Sequence, residues 1–183
     1  MMPWGPSVHV LKIRLRHVEP PIWRRFAVAS ETKLPRFNRI LLTVMGWDGH
    51  HLHVFDVAGI QFGEKDGDDD RVIGERNITV QQVLPRPDST LRWDYDLGDG
   101  WEHDVVVQAI EEPDPEIRYP VCSGGERACP PEDCGGVMGF ADLIEALADP
   151  AHPEHDELSA WAPKGYDPSR FDVAATNRRL KRR

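Results

Sequence analysis

Three cysteines form the first group of residues whose types and spacing could do chemistry. They follow a C-x6-C-x4-C pattern in a segment rich in Gly and Pro, where little apolar surface is available to build a core. Thiolates gathered on such a loop are typical of a structural zinc site, because the ion replaces the missing hydrophobic burial. A fourth ligand would have to come from outside the loop. The predicted zinc ligands are Cys122, Cys129, Cys134 and His103.

A second interpretation of the same cysteines stays open. Neither spacing is the C-x2-C of common zinc sites, and free cysteines are often simply small buried residues. Residues 1–21 contain no apolar run of signal-peptide length, and no segment approaches the roughly 18 apolar residues of a membrane span. We therefore expect a cytoplasmic protein, in which the thiols stay reduced and disulfides are disfavoured.

Two histidines form a second group. His51 and His53 alternate along a predicted strand, so both side chains project from one face, about 7 Å apart. Such a pair could share a metal ion or offer donors to an anion.

The third group lies between residues 95 and 103, where Trp101 and His103 share the face of another predicted strand. If the two strands are neighbours, this group and the histidine pair converge on a metal site of the two-His-carboxylate type or on an acid/base pocket with aromatic walls. The alternative is that Asp99 only forms a turn and the histidines bond buried backbone groups. The predicted pocket comprises His51, His53, Tyr95, Asp99, Trp101 and His103.

Periodicity predicts the elements that must position these residues. Alternation predicts strands over residues 10–16, 22–28, 51–57, 91–96 and 101–110, the last two joined by a hairpin loop. Helical spacing and capping signals predict helices over residues 34–45, 79–84, 140–148, 152–161 and 167–180. Residues 111–136 show no period and are expected to be irregular. The pattern predicts a single α+β domain over residues 1–183: a mostly antiparallel sheet, one early helix and a C-terminal helical segment.

The charge pattern indicates which binding partners are disfavoured. A net charge of −9 disfavours nucleic acid and anionic membrane surfaces. A nucleic-acid contact would have to use the basic strand face of Lys12, Arg14 and Arg16 or the short basic tail at residues 178–183, and pairing within the protein or solvation is the favoured interpretation of both. The acidic tract at residues 64–70 is expected to be an exposed loop, and its spacing lacks the pattern of a calcium loop.

Five segments together resemble the plasmid pRiA4b ORF-3-like family over about residues 9–176. They are LKIRL from Leu11, PIWRR from Pro21, HLHVF from His51, YDLGDGWEH from Tyr95 and ACPPEDCGG from Ala128. The resemblance implies a single α+β domain and supplies no catalytic residue. Some family members carry resolvase labels, but no serine here lies among clustered arginines, as a serine recombinase requires.

Three functional hypotheses remain open at this point. The leading one is an accessory domain whose pocket binds a small ligand, a protein segment or a metal such as zinc. The alternatives are a metal-dependent hydrolase and a nucleic-acid-associated protein of mobile elements.

Overall fold

One eight-stranded sheet organises the protein in the computed structural model, which describes residues 6–64 and 71–182. The strands are β1 (Val8–Leu15), β2 (Trp23–Ala29), β3 (His53–Val57), β4 (Ile60–Gly63), β5 (Val72–Gly74), β6 (Thr90–Tyr95), β7 (Trp101–Glu111) and β8 (Val121–Glu126). Their order across the sheet is β5-β4-β3-β6-β7-β1-β2-β8. Only β4 and β5 pair in parallel among these strands, so the predicted mostly antiparallel sheet is confirmed.

The helices are α1 (Leu34–Met45), α2 (Val80–Val83), α3 (Gly136–Ala148), α4 (His155–Trp161) and α5 (Val173–Leu180). A short 3-10 turn at Glu75–Asn77 precedes α2. The α+β class, with one early helix and helices at the C-terminal end, is thus confirmed. None of the helices in the described residues is long and apolar enough to cross a membrane.

The central strand β1 separates a hydrophobic face from a polar one. Leu11, Ile13 and Leu15 are fully buried on one side. On the other side the Lys12 ammonium lies 4.7 Å from the Trp23 ring, and Arg16 Nη1 lies 2.6 Å from a Glu102 carboxylate oxygen. Cations on this basic face therefore have partners on the neighbouring strands β2 and β7.

An aromatic group fills the core next to the β6–β7 hairpin. Trp47, which follows α1, packs against Trp93, Tyr95, Trp101 and His103, with ring centroids 5.0–6.2 Å away. All five side chains are at most 1% exposed. Burying each aromatic ring of this kind stabilises a fold by roughly 1.5–3 kcal/mol. This packed core consequently fixes the end of the sheet on which the polar surface residues lie.

Two predicted elements differ from the structure. Residues 111–136 were expected to be irregular, yet β8 forms there by pairing with β2. The last helix begins at Val173 rather than at residue 167, because the Asp172 carboxylate accepts a hydrogen bond from the backbone N–H of Ala175 (2.8 Å) and caps the helix there.

The two charged segments fall partly within the described chain. Residues 178–180 of the expected basic tail belong to α5, and Leu180 is buried. In the acidic tract, residues 65–70 lie outside the described residues.

Candidate functional site

A loop before α3 docks onto the end of the sheet and closes the candidate site. The Trp47 indole N–H donates to the Pro130 carbonyl (2.9 Å), and the Gly135 backbone N–H donates to the Asp99 carboxylate (3.1 Å). Gly136 lies so close to the hairpin that a Cβ atom there would be 2.5 Å from the Asp99 carbonyl oxygen. These contacts place the acidic part of the loop beside the segment that leads into β3.

His51 stands at the centre of this arrangement, facing three carboxylates. Its Nε2 atom lies 3.1 Å from Asp133 Oδ1, 3.6 Å from Asp96 Oδ2 and 3.8 Å from Glu132 Oε2. The same nitrogen is buried and makes no hydrogen bond. A buried imidazole nitrogen normally has a hydrogen-bond partner. Because this one has none, its lone pair is available to bind a cation.

Backbone geometry fixes the two aspartates. Asp96 and Asp133 have φ values of 52° and 57°, a left-handed conformation that Asp tolerates better than most residues. Asp96 Oδ1 accepts hydrogen bonds from the backbone N–H groups of Gly98 (3.1 Å) and Asp99 (3.3 Å). Its other carboxylate oxygen, Oδ2, therefore remains directed at His51.

Glu132 is held by two donors. The Tyr95 hydroxyl donates to its carboxylate oxygens at 3.0 and 3.2 Å, and the Asp48 backbone N–H donates to Oε1 at 3.0 Å. Burial, together with the hydrogen bond to Glu132 and its charge, raises the pKa of Tyr95, so that the phenol stays protonated and can donate. Tyr95 thus orients Glu132 toward the imidazole.

Donor atoms of His51, Asp96 and Asp133 all lie within 4.8 Å of one another. Among the described residues, neither Lys nor Arg forms an ion pair with Asp96, Glu132 or Asp133. Carboxylates so close together repel one another unless a cation lies between them. One imidazole and two carboxylates form a mixed N/O set that suits divalent transition metals.

The predicted pocket is divided by the structure. His51 and Tyr95 lie at this site, and Asp99 supports it through Gly135. His53 is turned away, because its Nε2 atom lies 2.9 Å from a carboxylate oxygen of the buried Glu75.

The remaining two pocket residues, Trp101 and His103, are fully buried in the aromatic core. His103 Nδ1 is 3.0 Å from the Trp93 carbonyl and donates to it, whereas Nε2 is buried without a partner. Burial lowers the pKa of His103 to about 3, which keeps the imidazole neutral. The histidine therefore bonds a buried backbone group, as the alternative interpretation of its sequence position states.

The cysteines occupy three different settings. Cys122 is buried on β8, whereas Cys129 and Cys134 are half-buried in the loop that follows. Burial raises the pKa of all three thiols, to about 12 for Cys134. The predicted set of Cys122, Cys129, Cys134 and His103 is not among the described residues whose donor atoms meet as a metal-binding group. Zinc at the cysteines stays a prediction.

Arg24 is the charged neighbour of this cysteine region. It is 1% exposed, and its guanidinium donates to the backbone carbonyls of Val44 (2.9 Å) and Glu126 (2.7 Å). It also lies 3.9 Å from the ring of Phe171. This buried cation joins α1, β8 and the segment before α5, which gives it a structural role.

Sequence reasoning missed Asp96, Glu132 and Asp133 as site residues. All three lie within segments that carry the family resemblance, two of them in the stretch ACPPEDCGG. The usable signal was an Asp two residues before a glycine in each turn, a position where Asp adopts positive φ. Their meeting depends on contacts between segments far apart in sequence.

The fold and site define a class: an α+β domain with a mostly antiparallel sheet, onto whose β6–β7 hairpin a cysteine-containing loop docks to close a His/carboxylate cluster. The chain belongs to the family of plasmid pRiA4b ORF-3-like proteins, which matches residues 7–175. The resemblance seen in the sequence is confirmed.

Two relatives extend this finding. The chain is 36% identical over 173 residues to the uncharacterized protein y4hQ of Sinorhizobium fredii, covering 93% of this chain and 87% of the relative. It is also similar to the crystal structure of MM3350, a protein of unknown function from Methanosarcina mazei Go1, with a TM-score of 0.85 and 28% identity. That similarity covers 93% of this chain and 97% of the other. Function must therefore be argued from the geometry of the site.

Proposed function

We propose that this protein binds a divalent transition-metal ion through His51, Asp96 and Asp133. The observation that carries the proposal is the buried Nε2 atom of His51, which makes no hydrogen bond although carboxylate oxygens of both aspartates lie 3.1 and 3.6 Å away. A cation among these atoms would use the imidazole lone pair and offset the repulsion between the carboxylates.

The mixture of one imidazole and two carboxylates limits which metal ions the site would bind. Calcium and magnesium prefer oxygen ligands alone, whereas an imidazole beside carboxylates suits manganese, iron, cobalt or zinc. Glu132 is the outer partner, because Tyr95 and the Asp48 backbone already hold its carboxylate in place. Such support around a metal site commonly changes affinity by about 10- to 100-fold.

Cobalt(II) titration of chelator-treated protein tests the proposal, because the visible spectrum reports the ligands. A His/carboxylate site gives weak d–d bands, whereas thiolate ligands add a strong sulfur-to-cobalt charge-transfer band in the near ultraviolet. We expect stoichiometric uptake without the thiolate band. His51→Ala should lower affinity by about 100-fold or more, because a ligand itself is lost.

The matched control is His50→Ala, since His50 is exposed and adjacent in sequence. It should bind cobalt as the unmodified protein does, and circular dichroism should show that both variants are folded. Absence of uptake would reject the proposal. Uptake that survives His51→Ala but is abolished by Cys129→Ser would also reject it, in favour of the cysteine site.

A metal-dependent hydrolase is the second candidate function. It is favoured by the small number of protein ligands and by the exposure of Asp133, whose side chain is 74% accessible. Three protein ligands leave coordination positions for water or substrate, as in catalytic zinc sites. Metal-dependent hydrolysis of p-nitrophenyl acetate or bis(p-nitrophenyl) phosphate, lost in His51→Ala, would support it. Metal uptake without hydrolysis of either probe would leave a binding domain.

A further inference from the structure

We infer that a second site, a basic cleft at the start of α1, binds small molecules that carry two or more linked phosphates. The cleft has a volume of about 630 Å³ and lies between the end of β2, the first turns of α1, the 3-10 turn and the segment before β8. It is separate in the fold from the His51 site. Its positively charged lining residues are Lys33, Arg36, Arg39 and Arg76.

The cleft is positively charged although the protein as a whole is acidic. Four cations line it against one acidic residue, Glu31, although the chain has a net charge of −9. None of these four cationic side chains forms an ion pair or a hydrogen bond with another described residue. On the sheet, by contrast, Arg16 and Arg92 each lie beside carboxylates. The positive charge of the cleft is therefore not neutralised by described residues, and it can attract an anionic ligand.

Backbone contacts hold together the segments that carry the cations. Lys33 and Thr79 form an isolated β-bridge, and the Leu34 N–H donates to the Ile78 carbonyl (2.9 Å). These contacts bind the start of α1 to the segment that carries Arg76. Arg36 and Arg39 are three residues apart on the helix, which places them on one side. Two parts of the chain, residues 33–39 and the 3-10 turn, thus present positive charge to one cavity.

The placement of these charges opposes the intrinsic preference of the helix. The first turn of a helix favours acidic residues, because its backbone N–H groups carry partial positive charge. The first turn of α1 has none, and Lys33 and Arg36 stand there instead. A bound anion would offset this repulsion, which an empty cleft leaves in place.

The size and charge of the cleft point to a small ligand rather than a polymer. The cleft volume lies within the range of small-molecule sites, about 300–1,000 Å³. Guanidinium groups match phosphate oxygens in pairs, so three arginines and a lysine suit a diphosphate or triphosphate better than a single phosphate. Tyr119 contributes a half-buried aromatic wall, on which a planar base could stack. A nucleic-acid backbone would meet the repulsion of the strongly acidic remainder of the protein.

Isothermal titration with inorganic pyrophosphate, ADP and orthophosphate tests the inference. The titrations are made in EDTA, so that metal at His51 cannot contribute and the result is independent of the proposed metal site. We expect pyrophosphate and ADP to bind more tightly than orthophosphate. Equal affinity for pyrophosphate and ADP would identify the phosphate chain alone as the ligand, and tighter binding of ADP would identify a nucleotide.

Two double variants localise the binding. Arg36→Gln with Arg39→Gln should weaken pyrophosphate binding by about tenfold or more, since charge-assisted hydrogen bonds are lost. Lys164→Gln with Arg170→Gln removes the same charge from exposed positions elsewhere and should leave affinity unchanged. All four side chains are exposed, so both variants should fold.

Three outcomes would overturn the inference. One is that the unmodified protein does not bind pyrophosphate or ADP at low salt. Another is that the two double variants weaken binding equally, which would indicate a diffuse charge effect. The third is tight binding of a single-stranded oligonucleotide with which pyrophosphate and ADP do not compete, which would identify nucleic acid as the ligand.

Discussion

His51 Nε2 lies 3.1 Å from Asp133 Oδ1, yet no hydrogen bond joins them. His51 precedes β3 at one edge of the hairpin, whereas Asp133 belongs to the loop before α3. The pair therefore exists only while that loop is docked on the hairpin. A substitution that weakens the packing of the loop on the hairpin should consequently also lower the affinity of the proposed metal site.

Gly136→Ala is expected to separate the loop from the hairpin. Gly136 has a φ of 69°, and a Cβ atom there would meet the Asp99 carbonyl oxygen at 2.5 Å. Backbone cannot yield as a flexible side chain does, so we expect the free energy of unfolding to fall by about 2 kcal/mol or more. Cobalt affinity should fall with it. Urea unfolding and cobalt titration of the same preparation measure both quantities.

The matched control is Gly165→Ala. Gly165 has a similar φ of 76°, but a Cβ atom there would have no neighbour within 4 Å. This variant should lose only the roughly 1–2 kcal/mol of an unfavourable backbone conformation and should keep its cobalt affinity. Equal losses of both quantities in the two variants would contradict the role of loop docking.

Local signals in the sequence were enough to predict α1, from Leu34 to Met45. Pro35 suits the first turn, and Gly46 ends the helix with a φ of 127°. β8 could not be predicted in this way, because its two glycines and its serine show no strand pattern. Gly125 is required by distant parts of the chain: a Cβ atom there would lie 2.6 Å from the Phe171 ring and 2.8 Å from the Arg24 side chain.

The site was only partly predictable, because some of its residues lie on elements with local sequence signals and others meet through contacts between distant segments. His51 and Tyr95 lie on predicted strands. The prediction that these strands meet depended on their being neighbours, and the pairing of β3 with β6 meets that condition. Asp96 and Asp133 lie in turns, and nothing local specifies which turns will meet. The residues of the aromatic core, Trp101 and His103, were correctly placed on one face of a strand, but that face is the interior one.

Thiol reactivity is expected to be low in the folded protein. Burial raises the pKa of Cys122, Cys129 and Cys134, which lowers the fraction of reactive thiolate at pH 8. We expect native protein to react with a disulfide reagent at least about tenfold more slowly than protein unfolded in urea, where three thiols per chain should titrate.

EDTA distinguishes packing from metal ligation in that experiment. If burial alone protects the thiols, chelator should not change the native rate. Rapid release of thiols on adding EDTA, together with about one zinc per chain in elemental analysis, would instead support the zinc ligands predicted from the cysteine spacing.

His103 is expected to make stability depend on pH. Burial lowers the pKa of its imidazole from 6.5 to about 3, so below pH 6.5 the unfolded chain binds a proton that the folded chain does not. The free energy of unfolding should therefore decrease as the pH falls from about 6.5 toward 3, by up to about 1.4 kcal/mol per pH unit from this residue. Burial also lowers the pKa of His9, which adds to the same trend.

His103→Gln should make this dependence shallower. Glutamine can still donate to the Trp93 carbonyl but does not titrate, so the variant should be less stable at pH 7.5 and lose less stability between pH 6.5 and pH 5. Urea unfolding of chelator-treated protein at several pH values measures the slope. His17→Gln is the comparison variant, because His17 is exposed and its replacement leaves the aromatic core intact. An unchanged slope in His103→Gln would mean that the unfolded and folded chains bind the His103 proton alike.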